Sequence, residues 1–128
     1  MKKLLVLVAA VLVAGSVFAS GVPDLTIKEL KNLIAEHKAV IIDVNGTDFW
    51  KEGHIPGALD FESNSANLRK VLPSDKNTLI VAYCGGPQCT AYKQAVKAVE
   101  KLGYKNVKHL SAGISGWKDA GEKMEKGS

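Results

Sequence analysis

Arginine is almost missing from this sequence: Arg69 is the only one among 17 basic residues, and the lysines are dispersed. A basic stripe that tracks phosphates is therefore not predicted, and no nucleic-acid partner is expected. Metal ligands are just as sparse. His37, His54 and His109 stand far apart with no paired spacing, whereas a structural zinc site needs four ligands, so no metal or other cofactor is predicted. With only two cysteines, Cys84 and Cys89, the chain is not a disulfide-stapled scaffold. Both lie in one short turn, where a bridge would close a tiny loop and add little stability. The pair reads as chemistry rather than stapling.

One long apolar run is present, and it lies at the start. Lys2 and Lys3 precede an apolar stretch over residues 4–14, followed by Gly15, Ser16 and Val17-Phe18-Ala19. The stretch is shorter than the roughly 20 residues a spanning helix needs, and Val17-x-Ala19 supplies the small residues of a cleavage site. Residues 1–19 are thus predicted to be a signal peptide cut after Ala19, with no membrane attachment once it is gone. No cysteine follows the run, so a lipoprotein anchor is not indicated. Residues 20–128 suffice for one compact domain with a single core. The predicted location is periplasmic or secreted, an oxidising compartment.

Thr26 and Glu29 form the pattern of a capping box, opening a helix whose Ile27, Leu30, Leu33 and Ile34 share one face. Ala39-Val40-Ile41-Ile42-Asp43-Val44 follows as a continuous apolar strand, the type buried on both faces of a parallel sheet. A short helix over residues 48–52 ends at Gly53. His54-Ile55-Pro56-Gly57 then turns into a second strand, and a helix is expected over residues 65–72. Thr78-Leu79-Ile80-Val81-Ala82 is the next strand, residues 90–102 the most strongly periodic helix, residues 106–110 the last strand, and residues 111–117 a loop and helix start. Residues 121–128 read as a charged, frayed tail. This alternation predicts a single α/β domain: a parallel sheet with helices on both faces.

The other elements are arranged around Tyr83-Cys84-Gly85-Gly86-Pro87-Gln88-Cys89-Thr90. A strand feeding a glycine-rich turn and then a helix sets Cys84 near the helix's positive end, where unpartnered N–H groups and the macrodipole favour an anion. A thiolate is stabilised there and its pKa lowered. Gly85 and Gly86 are expected to take positive φ and curl their N–H groups around the sulfur as a nest. Cys84 is the predicted nucleophile, and Gly85, Gly86, Pro87, Gln88, Cys89 and Thr90 the predicted substrate-binding loop. His54 and Asp43 read as hydrogen-bonding residues, since a thiolate needs no general base. Trp50 and Trp117 read as packing aromatics. Tyr83, Tyr92 and Lys93 flank the turn, as pocket lining or as plain surface.

Ile42-Asp43-Val44, Gly53-His54-Ile55-Pro56-Gly57-Ala58, the Cys84 loop and Ala112-Gly113-Ile114-Ser115-Gly116-Trp117 occur in the order and spacing of the rhodaneses. Over about residues 25–120 the chain resembles a single-domain rhodanese. The resemblance implies a parallel sheet of about five strands and a sulfurtransferase in which Cys84 takes sulfane sulfur as a persulfide. It would pass that sulfur to a thiophilic acceptor, a thiol or cyanide. Two departures bear on the donor. The family's Asp-Val-Arg is Asp43-Val44-Asn45 here, and the loop carries no arginine or lysine after its cysteine. Backbone N–H groups then do most of the anion binding. That weakens the case for thiosulfate, which gains most from a charge-assisted bond, and leaves polysulfide or other persulfides as donors. Phosphatases of related fold carry Cys-x5-Arg, but the sixth residue after Cys84 is Thr90, so phosphoryl transfer lacks its charge clamp.

Cys89 admits three roles: a resolving thiol that attacks a Cys84 persulfide or pairs with Cys84, a second sulfur carrier, or a packing residue at the helix start. An unstrained bridge needs Cβ atoms about 3.5 to 4.5 Å apart. The expected outcome is a Cys84 persulfide with Cys89 reactive but inessential. Two further classes stay open. One is a periplasmic thiol–disulfide oxidoreductase using Cys84 and Cys89, despite Cys-x4-Cys differing from the Cys-x-x-Cys of thioredoxin-like proteins. The other is a non-catalytic sulfur-carrier or binding module.

Overall fold

The computed structural model describes residues 21–127; the predicted signal peptide and its cleavage point lie outside them. Helix α1 (Ile27–Ala35) starts where the sequence puts its cap. Thr26 Oγ1 accepts from the Glu29 N–H at 3.1 Å, and the Glu29 carboxylate accepts from the Thr26 N–H at 3.4 Å, satisfying two amides that a helix start leaves free. The chain leaves α1 through His37 at φ 53°, the left-handed position that commonly ends a helix. It then enters β1 (Ala39–Asp43).

The remaining elements are α2 (Thr47–Glu52), β2 (Leu59–Asp60), α3 (Phe61–Asn64), α4 (Leu68–Val71), β3 (Leu79–Tyr83), α5 (Tyr92–Lys101), β4 (Val107–His109) and α6 (Gly113–Asp119). The helix expected over residues 65–72 is broken into α3, a single 3-10 turn (Ser65–Asn67) and α4. It starts early because the Asp60 carboxylate caps α3, accepting from the Glu62 N–H at 3.2 Å. It breaks among Asn64, Ser65 and Asn67; the Asn64 amide and Ser65 hydroxyl bond the Asp60 and Glu62 carbonyls. Short polar side chains of this kind offer the backbone an alternative to the helix ladder.

All four strands are parallel, in the order β2-β1-β3-β4. About five were expected. The fifth position, beside β4, holds only a parallel bridge between Asp24 and His109. Pro23 has no N–H to extend the pairing and the α1 cap follows at once, so the contact stops after one residue. Ile42, Ile80 and Ala82 share a core cluster with Ala95, Val96 and Val99 of α5. Ile41, Val81 and Tyr83 share the other with Leu30 of α1 and Trp117 of α6. Each fully buried aliphatic side chain contributes about 1.5–3 kcal/mol, which accounts for the unbroken apolar runs of β1 and β3.

Residues 121–127, expected to fray, are tied down instead. The N–H and carbonyl of Glu125 bond the carbonyl and N–H of His54 at 2.9 and 2.8 Å, and the Gly127 N–H donates to the Lys51 carbonyl at 3.1 Å. The Trp117 indole N–H donates to the Lys123 carbonyl at 2.8 Å, and Met124 packs on the Trp117 cluster. Backbone bonds and one apolar anchor hold the segment, with Glu122 paired to Lys31 at 3.0 Å and the Glu125 carboxylate accepting from the Gly57 N–H at 3.2 Å.

Candidate functional site

From β1 the chain winds to β2 on one side and then crosses to β3 on the other. Open α/β sheets leave a crevice at such a reversal, outside the carboxyl ends of the strands. Here those ends are Asp43 and Tyr83, paired in register. Cys84 follows Tyr83 directly and is 1% exposed. The start of α6 clamps it: Ile114 N–H donates to the Cys84 carbonyl and Ser115 N–H to the Gly85 carbonyl, both at 2.9 Å. Gly113 makes this approach close. It sits at φ +61°, and a Cβ there would lie 2.6–2.7 Å from backbone atoms of Cys84, Gly85 and Gly86, which only glycine avoids.

The positive φ expected at Gly85 and Gly86 is absent. A Cβ at either would meet nothing nearer than 3.8 Å, so the loop's conformational demand falls on Gly113, across the crevice. Beyond Gly86 the loop turns tightly, with the Cys89 N–H on the Gly86 carbonyl at 3.0 Å. That turn returns Cys89 to Cys84, and the two are joined in a disulfide with Cα atoms 6.3 Å apart, within the ordinary range. The bridge left in doubt by the sequence is thus geometrically accessible. Among the described residues, the loop N–H groups of Gly85, Gly86, Gln88 and Thr90 have no intramolecular acceptor. Pro87, Gln88 and Thr90 are exposed on the outer side of the loop, and α5 starts at Tyr92, two residues later than expected.

Next to the loop lies a fully satisfied polar network. The buried Asp43 carboxylate accepts from the Tyr83 hydroxyl at 2.5 Å and from the Asn45 N–H at 2.7 Å, while the Tyr83 oxygen accepts from the Ile55 N–H at 3.0 Å. Burial pushes the Asp43 carboxyl above its usual range, partly offset by those bonds. Burial, and then the neighbouring Asp43 charge, push the Tyr83 phenol up as well. These groups organise the loops after β1 and α2, the role expected of Asp43. His54 is also structural: Nδ1 lies 2.7 Å from the Trp50 carbonyl and its ring stacks on Trp50 at 4.1 Å. Tyr83 and Tyr92 are not surface residues; both are buried, Tyr92 stacked on His109 at 3.4 Å.

A cavity of about 340 Å³ opens at the crevice, with Asn45 on one side, Gly85 on the other, and Phe49, Ile114, Met124, Glu52 and Lys118 around it. Lys118 is a cation at the site that was not anticipated. Its signal is the spacing Ile114-x-x-x-Lys118, which puts both on one face of α6 once Ile114 is known to sit at the loop.

The rhodanese-like domain family model matches residues 26–120. An HTH-type transcriptional regulator of Mycobacterium tuberculosis is 30% identical over 116 residues, which cover 90% of this chain and 50% of that one; the chain spans about half the length of this relative. The BH2092 protein of Bacillus halodurans superposes with a TM-score of 0.70 at 28% identity, over 81% of this chain and 77% of its own. A thiosulfate sulfurtransferase of Pseudomonas aeruginosa gives 0.68 at 25% identity, over 84% of this chain and 21% of its own. The family match runs from the α1 cap through the cysteine loop to the end of its clamp, so sheet, loop and clamp are accounted for together, and the chain belongs to the rhodanese-like domain family.

Proposed function

We propose that the protein is a rhodanese-type sulfurtransferase in which the Cys84 thiolate takes the terminal sulfur of a sulfane donor as a persulfide and hands it to a thiophilic acceptor, a thiol or cyanide. The observation that carries this reading is the position of Cys84 at the sheet's reversal point, clamped by α6 and followed by loop amides with no acceptor among the described residues. Those amides suit a small anionic sulfur species and compensate charge without a side chain. Membership of the family supports a sulfurtransferase-type role in general. The disulfide marks the oxidised form, so the donor reacts after reduction of the pair.

Polysulfide is the proposed donor in preference to thiosulfate, because the loop itself, residues 85–89, contains no cation and a divalent anion gains most from one fixed beside the sulfur; Lys118, which lines the cavity from α6, is the cation against which that preference is tested. A kcat/KM ratio favouring thiosulfate would overturn that choice. Cys84→Ser, close to isosteric, abolishes cyanide-dependent thiocyanate formation and leaves circular dichroism unchanged; wild-type activity in that variant would remove Cys84 from the role. A second reading, thiol–disulfide exchange, is favoured by the Cys84–Cys89 bond itself. Under that reading Cys89→Ala loses all turnover, whereas a sulfurtransferase retains thiocyanate formation. The proposed location stays periplasmic or secreted, and mass spectrometry of the exported protein tests it by finding Ser20 as first residue.

A further inference from the structure

We infer that Cys89 is a resolving thiol which discharges the Cys84 persulfide internally, making the protein a dithiol-dependent sulfane-sulfur reductase whose product is hydrogen sulfide. The inference rests on the sulfurtransferase reading and names the fate of the sulfur.

Two observations carry it. The first is the disulfide: the tight turn closed by the Gly86–Cys89 hydrogen bond sets Sγ of Cys89 on Sγ of Cys84. The second is unequal burial. Cys84 is 1% exposed, while Cys89 is only partly buried. In a persulfide the inner sulfur is Sγ of Cys84, whose side chain packs in the core cluster with Ile42, Tyr92 and Ala95. A thiol from solution can meet only the outer sulfur. Cys89 is already at the inner one, and an oriented intramolecular nucleophile acts at an effective concentration far above that of a free thiol.

The Cys89 thiolate attacks Sγ of Cys84, the Sγ–Sγ bond forms, the bond to the outer sulfur breaks, and the electron pair leaves with hydrosulfide. Counted from the dithiol and zero-valent sulfane sulfur, the outer sulfur is reduced by two electrons over loading and discharge and the two cysteine sulfurs are oxidised by one each. A dithiol reductant closes the cycle. Its first thiolate attacks the accessible Cys89 sulfur, Cys84 leaves as thiolate, and its second thiol resolves the mixed disulfide. In sum, a persulfide and a dithiol give a thiol, hydrogen sulfide and the reductant's disulfide. The unequal burial thus assigns direction: Cys84 receives sulfur and Cys89 receives electrons.

The test treats the reduced full chain anaerobically with one equivalent of polysulfide and reads intact mass and trapped sulfide. Wild type ends ~2 Da below the reduced mass and releases about one equivalent more sulfide than Cys89→Ala, which holds ~32 Da on Cys84. Cys84→Ala gains nothing. Wild type and Cys89→Ala both holding the added ~32 Da would overturn the inference and leave the sulfurtransferase reading standing. No added sulfur on Cys89→Ala would remove both. Added sulfur on Cys84→Ala would reverse the order of the two cysteines, and a ~2 Da loss without the extra sulfide would assign closure to another oxidation.

Discussion

Two loops leave the same edge of the sheet from strands paired in register, and they are built in opposite ways. After β1, the Asp43 carboxylate takes the Asn45 N–H and the Tyr83 hydroxyl, and Tyr83 in turn holds the Ile55 N–H. After β3, four backbone N–H groups have no acceptor among the described residues, and the chain is held from outside, by Ile114 and Ser115 of α6. A fully bonded polar group is rigid and chemically spent. The loop that must accept a ligand keeps its donors free and borrows rigidity from a neighbour. The glycines divide the same way: the reactive loop contains two that space does not require, and the clamp helix contains two that it does, Gly113 against the loop backbone and Gly116 against the Ala112 Cβ.

The largest way to break this comparison is Gly113→Ala. Left-handed backbone costs a non-glycine residue about 1–2 kcal/mol, and a Cβ forced into packed backbone adds about 1–3 kcal/mol more. We expect a loss of about 2–5 kcal/mol by urea unfolding, with sulfur loading on Cys84 lost alongside. Near-wild-type values would mean that the clamp does not shape the loop. Tyr83→Phe comes next. It strips a buried carboxylate oxygen and the Ile55 N–H of their partner, at about 1–3 kcal/mol, and acts on stability more than on the chemistry of Cys84; equal loss in both would merge the two loops into one unit.

A pH series separates them more finely. The Asp43 carboxyl is raised above 3.8 chiefly by burial, so the folded chain holds that proton more tightly than the unfolded one. Its contribution to stability is fully present below 3.8 and is lost as pH rises through the raised value. The stability of wild type relative to Asp43→Asn therefore falls with pH across that window; a gap that grew instead would show that the two hydrogen bonds outweigh burial. The smallest effect is expected at Gly86→Ala. Its Cβ would lie 3.9 Å from the Ser115 side chain, and a compatible glycine replacement stabilises by about 0.4–1 kcal/mol through the unfolded chain. A loss of more than that would show that the loop glycines carry the conformational demand after all.

Much of the fold was legible because it rests on local signals. The capping box at Thr26 and Glu29, the apolar strands β1 and β3, and the helix–strand alternation each follow from nearby residues. The cysteine loop was legible too, as a strand, a turn and a helix in succession. Its support was not. Gly113 lies some thirty residues away and reads as one motif glycine among several until the backbone of Cys84 is beside it. Lys118 carries no mark of a site residue beyond its spacing from Ile114. The docked tail escapes for another reason: residues 121–127 bind largely through N–H and carbonyl groups that every residue has, and the partners of Glu122 and Glu125, Lys31 and Gly57, are far off in sequence, so the charged side chains suggested only fraying.

The cross-link between Cys84 and Cys89 spans five positions, whereas the clamp on the same loop comes from a distant part of the chain. Ring closure over so short a span removes little freedom from an unfolded chain. The two sulfurs can therefore meet before β4 and α6 have folded onto the loop, and a chain that is oxidised early keeps its path to the native state open. We expect oxidation state and folded state to be largely independent here: a refolding experiment begun from the cross-linked chain should arrive at the same sheet as one begun from the dithiol.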